Sequence, residues 1–396
     1  MSILYSENLV YLMIGDIAER ITVIPPLDYN NIVSIKVPAQ VRYHNGPFFY
    51  SAFNNLQELI ASPKSTIYET HDGTLCKSGE ILYIPKGKTS LYIDSTICRV
   101  GYLAFADCCN LSSIVVDPNN QYFSVVNNCL YNKDITKLYF VPYSCYSYVI
   151  PNTVTWISET IKRKFPAEIH VESGNQVYAI RDGILYENNN IIHIMPGVNS
   201  LHLSKNAGRI LCDMYEIETI TADEDNELYT CFNNVLYDKL CAEVIYIPSS
   251  VDEITIFPKT KIPKDFSSMV KKEICKFRVL LEDKRTVSFT CKTSELRQCV
   301  SVLRSGKTEV KPGTEYMFCD LYLNDQYDAE SFLRYFKLSI MQILYRVISD
   351  NNIDMMYKIL QKGGMVTRNN IKRLMRRAEQ EEKTEIHQIL TRYQFD

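Results

Sequence analysis

No stretch of the sequence approaches the roughly 20 consecutive apolar residues that a membrane-spanning helix needs, so a helical membrane protein is not expected. The N-terminal MSILYSENLVYLMIGDIAER has no basic leader, and Glu7 precedes an apolar run, Leu9 to Ile14, too short for the core of an export signal. The 13 cysteines are odd in number, irregularly spaced and never in C-x-x-C register, so neither a disulfide framework nor a zinc ribbon is indicated. Free thiols in a reducing cytoplasm are the expectation. Also missing are a Walker loop, G-x-G-x-x-G, H-E-x-x-H and G-x-S-x-G, the arrangements that cradle phosphates, bind dinucleotides, hold a catalytic zinc or present a serine nucleophile. No catalytic residue, cofactor, metal or small-molecule substrate is expected. Tryptophan occurs once, whereas there are 28 tyrosines, a balance that suits half-buried rings on pleated surfaces.

Charge is unevenly distributed. Residues 1–270 hold 20 Lys/Arg against 29 Asp/Glu, and residues 271–396 hold 23 against 17. The acidic first part argues against a nucleic-acid partner, and the change of sign places a boundary near 270.

What the sequence does have is a repeat. VDPNNQYFSVVNNCLY (116–131) aligns without gaps to ASPKSTIYETHDGTLC (61–76), VESGNQVYAIRDGILY (171–186) and ADEDNELYTCFNNVLY (222–237), with starts 55, 55 and 51 residues apart. Such self-similarity marks a stacked-repeat architecture. A duplicated active-site loop would repeat His, Asp, Cys or Lys at fixed places. This block repeats an apolar position, a turn and a Leu-Tyr pair, which is scaffold chemistry.

Short strand-like patterns recur around the block, with inward apolar residues at Ile35, Leu59, Leu91, Ile114, Tyr148, Ile169, Leu201, Ile220 and Ile254. Steps of 19–24 residues alternate with steps of 32–34, so each unit of about 55 residues holds two coils, one carrying an insertion. The insertion reads as a β-hairpin: Asp-Gly or Asn-Asn, the Leu-Tyr run, a polar turn and a second apolar run. Pro85, Pro142, Pro196 and Pro248 close it, since proline cannot continue a ladder. The N-terminal SILYSENLVYL, with Leu4 and Tyr5, reads as a fifth copy that starts mid-unit and caps the stack.

The segment Ala104 to Ile157 resembles the BspA-type leucine-rich repeats, through Ala104, Phe105, Cys108, Leu111, Ile114, Leu130, Tyr131, Ile150, Pro151 and Val154. Asn128 stands where that family often has glycine, and SAFNNLQELIASP (51–63) is a second match. The resemblance covers roughly residues 1–260 and implies protein binding without chemistry. Some relatives are secreted adhesins, which begin with an export signal.

From Lys271 the period is expected to end. KFRVLLEDKRTVSFTC (276–291) reads as a hairpin, SELRQCVSVLRSG as a short helix stopped at Gly306, and the pattern after Asp328 is helical. Ile371, Leu374, Met375 and Ala378 form one apolar stripe, and Ile386, Ile389 and Leu390 another; Thr367 is the expected N-cap and Gly363-Gly364 the stop of the preceding helix. VISDNNIDMMYKIL lies over RRAEQEEKTEIHQIL with a step of about 30, and these paired helices resemble the end of an ankyrin array, although its T-P-L-H signature is missing. The expected fold is therefore a β-rich leucine-rich-repeat solenoid with β-hairpin inserts over 1–265, a hairpin-containing connector over 266–325 and a small ankyrin-like helical domain over 326–396.

The candidate binding residues lie on the outward column of the coil strands: Ile60, Tyr92, Val115, Val149, His170 and His202, continuing from Lys36 and on to Thr221 and Thr255. An apolar stripe there would serve a protein partner; inserts folding over it would make it internal packing. His170 and His202, with Glu168 near, are too few for a metal site, which needs three or four converging ligands. RNNIKRLMRR (368–377) reads as the solvated face of an amphipathic helix, and Asp223, Glu224 and Asp225 as turn residues. The function expected is a non-enzymatic scaffold for a protein partner, with no nucleic acid or membrane. A surface adhesin of the same fold, or a hydrolase or metal-dependent enzyme, are the alternatives.

Overall fold

The computed structural model describes residues 2–6, 9–13, 33–37, 39, 53–305, 310–326 and 330–394. Contacts divide the chain into two units, Met1–Val198 with Gly208–Met214, and Asn199–Ala207 with Tyr215–Asp396.

In the first unit the coil strands pair in parallel: Ser34–Val37 with Glu58–Ala61, Ser90–Ile93 with Ser113–Val116, and Ser147–Ile150 with Glu168–Val171. The inward residues meet in register, Ile35 opposite Leu59, Leu91 opposite Ile114 and Tyr148 opposite Ile169, and all six are buried. Each parallel pair thus spans one of the short steps. The backbone of Ser2–Ser6 forms an antiparallel pair with Leu9–Met13, which joins Ser34–Val37 in parallel.

The long steps hold the inserts, and each insert has three strands rather than the two that the sequence indicates. In the second copy Phe123–Val126, Cys129–Asn132 and Lys137–Phe140 form an antiparallel meander, and the last strand pairs in parallel with Trp156–Ile157. The strand before the turn escapes sequence reading because its polarity alternates weakly. Between the first two strands lie two residues with positive φ in every copy: Asp72 and Gly73, Asn127 and Asn128, Asp182 and Gly183, and, in the second unit, Asn233 and Asn234. Two such residues make a type I′ turn, whose twist matches that of the strands it joins.

The Leu-Tyr dipeptide explains the repeat. In each copy the register between the middle and third strands shifts at this point, at Leu75/Cys76, Leu130/Tyr131, Leu185/Tyr186 and Leu236/Tyr237. Three successive residues of the middle strand, Cys129 to Tyr131 in the second copy, are buried. A strand exposed on one face would bury alternate residues only; this one is covered on both faces, and the shift leaves an extra residue in the third strand, Tyr139 in the second copy, a β-bulge that re-aims the third strand's side chains.

A buried asparagine ties neighbouring coils. The Asn120 side chain donates to the carbonyls of Asp94 and Ile97 at 2.6 and 2.8 Å and accepts from the amides of Tyr122 and Phe123 at 2.8 and 2.9 Å. Asn175 does the same with Pro151, Val154, Val177 and Tyr178. In the second unit Asn226 does so with Ser204, Ala207, Leu228 and Tyr229. All sit at the fifth position of the repeated block, where the first copy has Ser65, which only accepts, from Ile67 and Tyr68.

The second unit starts with the same plan: Ser200–Leu203 pairs in parallel with Thr219–Ala222, and a meander of Tyr229–Phe232, Val235–Asp238 and Val244–Tyr246 follows. The expected end of the period at Lys271 is corrected here. Glu253–Ile256 pairs in parallel with Ile274–Leu280, setting Phe277 opposite Ile254. Phe277 lies 23 residues after Ile254, another short step, so the repeat runs one strand further. That strand also forms the expected hairpin with Thr286–Lys292.

Helices Leu296–Ser305, Glu315–Leu323, Glu330–Ser349, Ile353–Lys362, Ile371–Gln380 and Thr384–Arg392 complete the unit. Glu315–Leu323 is buried nearly all round, as a central helix must be. Asn352 caps Ile353–Lys362 by accepting from the Met355 amide, and Gly363, at φ 74°, ends it. Thr367 is not the N-cap of the next helix: Asn370 holds that position, and its side chain accepts from the Thr367 amide, so Thr367 opens a turn. One hydrophobic core runs from Val235 to Leu390, and the boundaries expected near 265 and 325 fall inside it.

Candidate protein-interaction surface

The coil strands alternate inward and outward because successive strand residues face opposite sides. Tyr92, Val115, Val149, His170 and His202 are all exposed, and Ile60 is half-buried. Register sets Tyr92 opposite Val115 and Val149 opposite His170, while Ile60 faces Lys36. The candidates of the first unit thus come together in twos, one couple to each parallel ladder. In the second unit His202 stands opposite Thr221. The far end of the expected column departs from the reading: Thr255 is buried, and its backbone carbonyl accepts from the Tyr237 hydroxyl at 2.7 Å.

Tyr92 and Val115 are 44 and 55 % exposed, unusual for apolar side chains directly opposed on a sheet. Tyr92 is also fixed in place. Its amide donates to Asp72 and its hydroxyl to Asp117, both at 2.8 Å. The hydrogen bond to Asp117 pushes the Tyr92 hydroxyl above its usual range. The Asn119 amide and the Tyr92 hydroxyl hold the Asp117 carboxyl below the usual carboxylate range. A ring immobilised before contact loses little entropy on binding.

His170 lies in the ladder of Ser147–Ile150 with Glu168–Val171, and His202 in that of Ser200–Leu203 with Thr219–Ala222. Nε2 of His170 is 3.2 Å from Glu168, and Nε2 of His202 is 3.2 Å from Asp223, with Nδ1 2.9 Å from the Thr221 hydroxyl. Asp223 also accepts from the Lys205 amide of the neighbouring coil and, through its backbone carbonyl, from the Asn226 amide within its own turn. Another histidine, His71, lies 2.6 Å from Asp94 and 3.6 Å from Glu69. Among the described residues no group of three or more His, Cys, Asp or Glu could hold a metal ion.

On the basic helix, Arg377 pairs with Glu381 and lies 5.4 Å from the centre of the Tyr345 ring, while Lys372, Arg373 and Arg376 are exposed. Two groups escaped sequence reasoning. The coil-tying asparagines were legible as a recurring fifth position of the block. Trp156, 38 % exposed and 5.5 Å from the Tyr139 ring, gave no periodic signal, because the short strand holding it has only two residues.

The parallel coil ladders and their inserts define a β-rich repeat solenoid, followed by a helical C-terminal region. No family model and no curated protein matches the chain. Similar solved structures include that of the pneumococcal vaccine antigen PcpA, at 17% identity and a TM-score of 0.33, covering 64% of each chain. A leucine-rich repeat protein from Eubacterium ventriosum is 17% identical at a TM-score of 0.29, covering 58% of this chain and 68% of that one. A leucine-rich cell surface protein from Faecalibacterium prausnitzii is 18% identical at a TM-score of 0.23, covering 48% and 55%. The chain spans a little under two thirds of the pneumococcal antigen's length.

Proposed function

We propose that this chain is a non-enzymatic scaffold that binds a protein partner through the outward faces of its coil ladders, with BspA-like coils as the platform. The observation that carries the reading is the Tyr92–Val115 couple: two opposed, exposed apolar side chains, one of them held by two hydrogen bonds. Rigid, solvent-facing aromatic and aliphatic anchors of this kind supply binding energy at low ordering cost. The partner's side of the contact would be apolar, with a donor for Asp117. The helical hairpins of the C-terminal region are read as ankyrin-like, and the free thiols as suited to a reducing cytoplasm.

The test is affinity capture from the source organism's lysate, comparing the intact chain with a Tyr92→Glu/Val115→Glu double variant. Circular dichroism must first show that both are folded. A protein retained by the intact chain and lost by the variant supports the reading. Equal retention by both removes these ladders as the binding face.

A further inference from the structure

The second unit contains a cavity of about 650 Å³ beside the first turns of helix Leu296–Ser305. Among the described residues three cations line it, Lys264, Arg297 and Lys311, and no carboxylate does. All three are exposed, and none joins an ion pair among the described residues. Several other cations of this unit are neutralised: Lys276 by Glu253 at 2.7 Å, Lys292 by Asp350 at 2.9 Å and Arg346 by Glu295 at 2.8 Å. Like charges converging on one cavity repel each other, and an anion placed between them relieves that repulsion.

The wall is built for a polar guest with an apolar body. Ser294, Arg297, Gln298 and Ser301 follow i, i+3, i+4, i+7 spacing and line the cavity together. Phe266 and Val302, both buried, back it with apolar surface. The facing loop comes close: a Cβ at Gly313, where φ is +83°, would lie 2.0 Å from Oε1 of Gln298. The positive φ is what favours glycine there, since the exposed end of Gln298 can turn aside.

We infer that this cavity is an anion site for a phosphate monoester, carried by a small organic molecule of nucleotide size or by a phosphorylated side chain of a peptide. A planar guanidinium grips two phosphate oxygens at once, while lysines act as point charges. The volume is that of a small-ligand pocket, and a cavity, unlike a basic stripe, selects a compact anion over a polymer. The inference stands apart from the coil-face reading, since it concerns other residues and needs no protein partner.

Titration calorimetry on the full chain tests it, with inorganic phosphate, adenosine monophosphate, and a phosphoserine pentapeptide beside its unphosphorylated form. At least one organic ester is expected to bind, with affinity falling as salt is raised. Arg297→Ala should weaken binding at least tenfold and Arg297→Lys less, whereas Arg163→Ala, an exposed cation of the first unit, should leave it unchanged. If Arg297→Ala does not fold, Lys311→Ala serves in its place, with the same loss expected. Binding of the nucleotide alone assigns a small-molecule ligand, and binding of the phosphopeptide alone assigns a modified side chain. The inference is overturned if no probe binds at millimolar concentration, if only inorganic phosphate binds, or if Arg297→Ala and Lys311→Ala bind as the intact chain does.

Discussion

Asn120 shows how much one polar side chain contributes to a stack of this kind. It is fully buried and makes four hydrogen bonds, two of them to carbonyls of the preceding coil. Asn120→Ala would strand two carbonyls and two amides; leaving a buried group unsatisfied costs about 1–3 kcal/mol. With partial rescue by water, the expected loss is about 3 kcal/mol, read as a lowered urea midpoint at unchanged slope. Asp320 behaves in the opposite way. Burial pushes its carboxyl above the usual carboxylate range despite the hydrogen bond from the Thr290 amide. Because the folded value is raised, the ionised form destabilises the fold at neutral pH. That penalty shrinks as pH falls through the raised value and is gone below the ordinary carboxylate range. Asp320→Asn keeps an acceptor for Thr290, so the variant should be more stable than the parent at pH 7, with the difference vanishing on acidification. Unfolding curves at a series of pH values check this, and a variant less stable at pH 7 would contradict it. Neither role could be read from sequence, because both depend on what lies above the residue in space. Asn120 at least left a trace in the recurrence of Asn175 and Asn226, whereas Asp320 sits in a segment without repeats.

Among elements, the four meanders were the most legible, since their turns require special residues. The pairs Asp-Gly and Asn-Asn both reach positive φ, and the sequence pattern located every one of these turns. The two solutions are not interchangeable. At Asn128, φ is 59°, which asparagine tolerates and glycine adopts freely, so Asn128→Gly should change stability by no more than about 0.5 kcal/mol. Asn128→Val should cost about 1–2 kcal/mol, the penalty of a left-handed conformation for a side chain with a branched Cβ. At Gly183 a Cβ would lie 2.6 Å from Cγ2 of Val198, so Gly183→Asn should destabilise even though asparagine accepts the dihedral. Thermal melts of the three variants would show this ordering, and equal melting temperatures would refute it. What the pattern missed was the first strand of each meander and the pairing of coil strands two by two. Periodicity locates a strand's inward face, but not which neighbour it bonds. Hence Tyr92, Val115, Val149 and His170 could be named as outward positions, while their grouping into two separate couples could not.

For the whole chain, the charge asymmetry and the fading of the repeat both pointed to a boundary near 265–270, yet the second unit keeps one core across that point. Ile254 and Ile256 on one side share it with Phe277, Val279 and Phe289 on the other, all fully buried. The strand Ile274–Leu280 alternates exposed and buried residues, a pattern that fits an independent hairpin as well as a coil strand, so sequence could not decide between them. A solenoid needs a cover on its last coil, and here the coil strand Glu253–Ile256 obtains it from the hairpin and helices that follow. Full burial of each Ile or Phe contributes roughly 1.5–3 kcal/mol, so ending the chain at residue 265 removes more than the preceding coil can spare. In hydrogen exchange of a 1–265 variant, the amides of Val235–Asp238 and Glu253–Ile256 should lose most of the protection they have in the full chain, and the variant should self-associate through the uncovered Ile254 and Ile256. The thirteen thiols are unpaired, so the full chain's own exchange pattern should be the same with and without reductant. If the 1–265 variant stayed monomeric with those strands fully protected, the solenoid would be self-sufficient and the helices an appendage. Loss of protection confined to the last coil, with the first unit unchanged, would instead show that the helical region acts as the terminal cap of the repeat.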